Sequence, residues 1–117
     1  MAKLSKSKGK RGEQEVATLF RGAGFDSVKR ATQGAGGKGF PDVGIYIGGA
    51  PVVWCEVKLG KRPSWRGAFA QVLRDHMPGS LPIAACRDDR DQWVVVLRMG
   101  DFLPMLAHWM KHTLKGE

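Results

Sequence analysis

The run Val52-Val53-Trp54-Cys55-Glu56-Val57-Lys58-Leu59 constrains this chain more than any other segment. It is rich in β-branched and aromatic residues and apolar at both odd and even positions over most of its length. Such a run is a strand with both faces covered, and so a central strand of its sheet. Yet it carries Glu56 and Lys58. Charges in the middle of an apolar run need a reason, because burying an unpaired charge is costly. Residues i and i+2 of a strand share a face, about 6.5–7 Å apart. Glu56 and Lys58 therefore point the same way as Trp54, while Val53, Cys55, Val57 and Leu59 point into the other layer.

The neighbouring segments supply the rest of an α/β domain. Residues 12–23 read as a helix with Val16, Leu19, Phe20 and Ala23 as its apolar stripe, Glu13 at the stripe's edge and Glu15 further from it. Ser27–Ala31 reads as a short strand and Val43–Ile47 as a second. Gly48-Gly49 is a hairpin signal leading into Val52–Leu59. Ser64 caps a helix running to about Met77, with Phe69, Val72 and Leu73 inward. Pro82–Cys86 and Trp93–Leu97 read as strands joined by a charged turn. Asp101 caps a last helix, about Phe102–Leu114, with Pro104 in its first turn. The expected order is α-β-β-β-α-β-β-α, a mixed sheet with helices on it.

With 117 residues the chain is one domain. Its net charge of +8 points to a polyanionic partner, and nucleic acid is the first choice. The rival, an anionic membrane, finds no apolar run of the ~18 residues a span requires. The N-terminus has the basic flank of a signal peptide but no apolar core after it, so a cytoplasmic, intracellular protein is expected. Residues 1–11 are basic and poor in apolar side chains. They read as an arm that contacts phosphates through Lys8, Lys10 and Arg11 and orders on binding, ahead of a single domain over 12–117.

A hairpin through Gly48-Gly49 brings Asp42, held by the rigid Pro41, back beside Glu56 and Lys58. Two carboxylates and an ammonium then converge. Hard cations such as Mg²⁺ take oxygen ligands and keep several waters. Asp42 and Glu56 offer two oxygens and the Val57 carbonyl a third. A metal held there would polarise a phosphodiester and lower the pKa of a bound water, with Lys58 placed to orient that water or offset transition-state charge. Lys61 and Arg62 extend the positive surface, and Lys38 in the Gly-rich loop Thr32–Phe40 can reach a phosphate.

At this point the sequence resembles a family. Pro41-Asp42 followed by Glu56-Val57-Lys58 is similar to the motif of the PD-(D/E)xK nucleases. The N-terminal part, Lys8-Gly9-Lys10-Arg11-Gly12-Glu13, an apolar helix, Gly24-Phe25, Val28-Lys29-Arg30 and a Gly-rich loop, resembles the archaeal-type Holliday junction resolvases. The resemblance covers about residues 8–100. It implies a restriction-endonuclease-like mixed sheet flanked by helices, and cleavage of branched DNA, four-way junctions above all, that depends on Mg²⁺ with Mn²⁺ as substitute. It also implies a homodimer. Glu13 holds the place of the helix glutamate that completes the family's metal site; Glu15 does not. The family's basic residue after the first helix falls nearer Lys29 than Arg30, and both are carried as DNA contacts. Gln71 resembles a glutamine that many of these nucleases hold near the site. Two alternatives stand: a VRR-NUC-like or other repair nuclease acting on flaps or nicks, and a basic nucleic-acid-binding module without chemistry.

Other motifs lose to simpler readings. Gly34-x-Gly36-x-x-Gly39 is followed by a strand and not a helix, which excludes a dinucleotide fingerprint. Cys55 and Cys86 read as buried core residues. His76, His108 and His112 read as surface histidines, since no third ligand stands near. Leu103, Leu106, Trp109 and Met110 are either dimer contacts or core.

Overall fold

A computed structural model describes residues 2–31 and 39–115, with side chains from 8 to 31 and from 39 to 114. Lys38 and most of the Gly-rich loop lie outside the described residues. Eight elements follow in the order α1 (Ala2–Gly22), β1 (Val28–Arg30), β2 (Val43–Ile47), β3 (Ala50–Gly60), α2 (Trp65–Asp75), β4 (Leu81–Asp88), β5 (Val94–Val96) and α3 (Met99–Lys115). This is the expected α-β-β-β-α-β-β-α order.

The strands form one mixed sheet in the order β1-β2-β3-β4-β5. β3 is central and pairs antiparallel with β2 but parallel with β4. A parallel neighbour needs a crossover, and α2 supplies it. Gly48 and Gly49 form the β2–β3 hairpin with φ of 60° and 83°, the left-handed pair that matches strand twist and that other residues adopt at a cost. The pairing Val43↔Cys55, Gly44↔Trp54 sets the register and leaves Asp42 opposite Glu56.

The period-two split of β3 divides the core into two layers. Cys55 and Val57 pack with Val16 and Ala17 of α1, Val28, Val43, Ile83 and Ala85. On the opposite face Ala84 and Cys86 pack with Ala68 and Phe69 of α2 and with Val96. Both cysteines are buried, as their setting predicts.

Several expectations need correction. The stretch read as an arm is helical from Ala2 and continuous with the helix that follows. Its Lys, Ala and Leu residues are good helix formers with no proline among them. Gly12 is not a helix start but a contact: a Cβ there would stand 3.0 Å from Leu59 Cβ and 3.3 Å from Val57 Cγ1. Leu19 is 55% exposed, and Ala17 takes its expected place in the stripe. The helix is rotated so that Glu13, Val16, Ala17 and Phe20 line its inner side.

In α2, Ala68 and Val72 face the sheet one turn apart, and Leu73, one step further round, is exposed. Asp101 lies inside α3, accepting from Arg98 Nε at 2.8 Å, and is not its cap. Pro104 consequently falls in the second turn, where it has no N–H to donate to the Gly100 carbonyl. His76 is half-buried at the end of α2, with Nδ1 3.1 Å from Ser80 Oγ, and is not a surface histidine. His108 and His112 are exposed and meet edge to face.

Candidate active site

Asp42 sits one residue before β2 begins, where the ladder to β3 has run out. Its side chain takes over the ladder's role, and Oδ2 accepts the Val57 N–H at 3.0 Å. The N–H and C=O of one strand residue point to the same side of the strand. The Val57 carbonyl therefore faces the same gap beyond the end of β2. Pro41 is fully buried and fixes the approach to this position.

Glu56 lies opposite Asp42 and is 5% exposed. Burial raises its pKa to about 8, helped by the neighbouring Asp42 carboxylate and a hydrogen bond between the two. Lys58, exposed on the same face, pulls in the other direction, and Asp75 at the end of α2 adds to the rise. Trp54, buried on this same face, keeps the surroundings apolar. Two carboxyl groups pressed together in this way do not both ionise at neutral pH unless a cation joins them.

Glu13 approaches from α1. Burial raises its pKa first, the Asp42 charge second, and Arg30 opposes both. The Arg30 guanidinium stands 3.4 Å from Glu13 Oε1. Asp42 is thus the hinge of the cluster, felt electrostatically by Glu13 on one side and by Glu56 on the other. Glu15, two residues along, turns away. It pairs with Arg87 at 3.2 Å and accepts from Trp93 Nε1 at 3.0 Å, tying α1 to the β4–β5 end of the sheet.

The donor set fits a hard divalent cation. Asp42, Glu56 and the Val57 carbonyl are oxygen donors, and Mg²⁺ binds through one or two carboxylates while keeping its waters. Among the described residues no three His, Cys, Asp or Glu side chains are grouped so that they could hold a metal ion together, so Glu13 is not brought to Asp42 and Glu56 as the expected third ligand. Glu13, engaged by Arg30, stands at the flank of the pair.

The expected DNA contacts divide. Lys10, Lys61 and Arg62 are exposed. Lys29 lies over the Tyr46 ring at 5.1 Å, on the sheet face away from Arg30. Lys8 is paired with Asp89 at 3.0 Å, Arg11 with Glu15 at 3.7 Å and Arg30 with Glu13. Of Lys29 and Arg30, it is Arg30 that faces the carboxylate cluster.

Two features escaped the sequence reading. Asp75 was one, although Ala68, Gln71, Val72 and Asp75 share an i, i+3, i+4 stripe that a helical wheel reveals. Gln71 is half-buried on that stripe. The other is Trp65 with Arg66, whose guanidinium lies 4.8 Å from the indole centroid. No helix among the described residues is long and apolar enough to cross a membrane. No protein-family model, curated protein or solved structure matches the chain.

Proposed function

We propose that this protein is a divalent-metal-dependent DNA endonuclease of the PD-(D/E)xK type that cleaves branched DNA, with the four-way junction as leading substrate. The observation that carries the reading is the pairing of the buried Glu56 with the half-buried Asp42, where Glu56 is held protonated up to about pH 8. A binding module has no use for such a pair, and a cation site does. The basic balance of +8 supplies affinity for the polyanion.

Asp42, Glu56 and the Val57 carbonyl are the groups that would hold Mg²⁺, or Mn²⁺ in its place, with Glu13 at the flank. A cation bound there supplies Lewis-acid polarisation of the phosphate and a water of lowered pKa. The chain's own residues do the remaining work. Asp42 is held by the Val57 N–H through Oδ2, so its carboxylate needs little further ordering to serve as a donor. Glu56 gives up its proton when a positive charge arrives. Lys58, on the Glu56 face, orients the attacking water or offsets charge on the phosphorane. Lys10, Lys61 and Arg62 hold flanking phosphates in an intracellular, DNA-containing compartment.

The symmetric cutting of a junction needs a twofold assembly. α3 presents Leu103, Leu106, Trp109 and Met110, all exposed on the protomer, as the surface for a second copy. They are not core. The deciding experiment is a panel of four-way, flap, nicked and linear DNA incubated with Mg²⁺. Equal cleavage of linear duplex and junction removes the resolvase assignment, and preference for flaps or nicks moves the protein to the repair-nuclease type.

A further inference from the structure

The open groove that Trp65 lines runs along the edge of the sheet and reaches the face that carries the carboxylate site. Glu56 pairs in register with Ala84 and Ala84 with Val96; Lys58 pairs with Cys86 and Cys86 with Val94. Residues in one cross-strand row point to the same side. Val96 and Val94 therefore lie on the face of Glu56 and Lys58, two strand spacings away, or about 10 Å. Trp65, Met99, Phe102 and all of Val94 to Leu97 line a groove of about 480 Å³ along the edge strand β5, with Val94 and Val96 contributed from the Glu56 face and Val95 and Leu97 from the other. Such a volume suits a ligand the size of a small molecule, for which pockets hold about 300–1,000 Å³.

Trp65 is 47% exposed, an unusual state for so large a ring. Its surroundings are cationic. Residues 58–74 contain Lys58, Lys61, Arg62, Arg66 and Arg74 and no acidic residue. An exposed aromatic platform beside a positive track is what binds an unstacked base together with its phosphates. An apolar protein partner would leave that run of cations unmatched.

We propose that this groove takes an unpaired nucleobase of the strand that enters the carboxylate site, stacked on the Trp65 indole. Lys61 and Arg62 hold the phosphates beside it, while the Arg66 guanidinium covers one face of the indole and the base takes the other. The inference rests on the nuclease reading for why the strand is there, and it adds a reason for branch selectivity. Fully paired duplex has no free base to offer, whereas a junction or flap frays at its branch point. The apolar floor of Val94 and Val96 accepts any base, so the contact selects structure and not sequence.

The test is a binding measurement in EDTA, where cleavage plays no part. Wild type, Trp65→Ala and Trp65→Phe are titrated against a fluorescent branched DNA with an unpaired stretch and against blunt duplex. Trp65→Ala weakens binding to the branched DNA about 5- to 150-fold, the range for loss of one base–aromatic stack. Its duplex affinity stays within about twofold and its salt slope is unchanged, because no phosphate contact is lost. Trp65→Phe retains most of the affinity. 2-Aminopurine in the unpaired stretch changes its fluorescence on binding wild type, which decides the matter if the alanine variant does not fold.

Unchanged branched-DNA binding, equal losses on both DNAs, or an unresponsive 2-aminopurine overturns the proposal. Tighter binding of an RNA strand of the same sequence overturns the assignment to DNA. A protein that cuts junctions equally well as Trp65→Ala and wild type keeps the nuclease reading and loses this one. A protein that cuts nothing still returns an answer on stacking.

Discussion

The Asp42 carboxylate accepts the main-chain N–H of Val57 at 3.0 Å. With this one bond a side chain just outside β2 continues the ladder to β3 and is placed opposite Glu56. Architecture and chemistry meet in that bond, so different substitutions of Asp42 separate them. Asp42→Asn keeps an acceptor for Val57 and loses the charge. It is expected to fold with a stability change of about 1 kcal/mol or less, and to lose cleavage by about 100-fold or more. Asp42→Ala also orphans the Val57 N–H and costs about 1–3 kcal/mol in chemical denaturation.

Glu56 makes stability fall with rising pH. Its folded-state pKa of about 8 stands above the ordinary 4.5, so the folded state keeps the proton longer than the unfolded chain does. The favourable contribution is complete below about pH 4.5 and is lost as pH rises through about 8. Thermal melts in EDTA across this window should show the decline in wild type and not in Glu56→Gln. Added Mg²⁺ should oppose it, with apparent affinity rising up to about pH 8 and protons released on binding, as calorimetry in two buffers detects.

Glu13 and Glu15 have opposite expected phenotypes. Glu13→Gln impairs cleavage with little loss of stability, because Arg30 retains an uncharged acceptor. Glu15→Ala removes the acceptor of Trp93 Nε1 and the partner of Arg87, whose side chain is only 15% exposed. It should lower stability by about 1–3 kcal/mol while cleavage per folded molecule is unchanged. Urea melts and initial rates on the two variants distinguish them.

Gly12 sets how closely α1, and with it Glu13, approaches β3. In Gly12→Val the added methyl groups meet Leu59 and Val57, since even a Cβ stands at 3.0 and 3.3 Å. Such overpacking costs about 1–3 kcal/mol. The same variant should impair cleavage through displacement of Glu13, without touching a charged group.

The α3 surface predicts an assembly change without a stability change. Leu106→Glu with Trp109→Glu alters side chains that are 37% and 59% exposed on the protomer. The melting of the protomer fold should be unaffected, while sedimentation should show a dimer becoming a monomer.

Much of this architecture was legible because each layer has its own period. The alternation in Val52–Leu59 assigned Glu56 and Lys58 to one face and Cys55 and Val57 to the other, and the two core layers follow that split. Gly48-Gly49 announced the hairpin that sets Asp42 opposite Glu56. Helix phase was harder to read. Leu19 and Leu73 are apolar yet exposed, while the small Ala17 and Ala68 are buried, because close helix–sheet approach selects small residues. Composition misled at the N-terminus: a basic, apolar-poor stretch resembles an arm, yet local propensity carries α1 back to Ala2. The pairing of Arg30 with Glu13, and the turning of Glu15 toward Arg87 and Trp93, depend on tertiary partners more than ten residues away in sequence.

The most direct test is cleavage of a synthetic four-way junction by wild type and Asp42→Asn, in Mg²⁺ and then in Mn²⁺, beside flap, nicked and linear DNA. The account predicts metal-dependent cutting of branched DNA by wild type, no cutting in EDTA, and junction binding without cutting by Asp42→Asn. Absence of cleavage of every DNA form in both metals, or equal cleavage by wild type and Asp42→Asn, would contradict it.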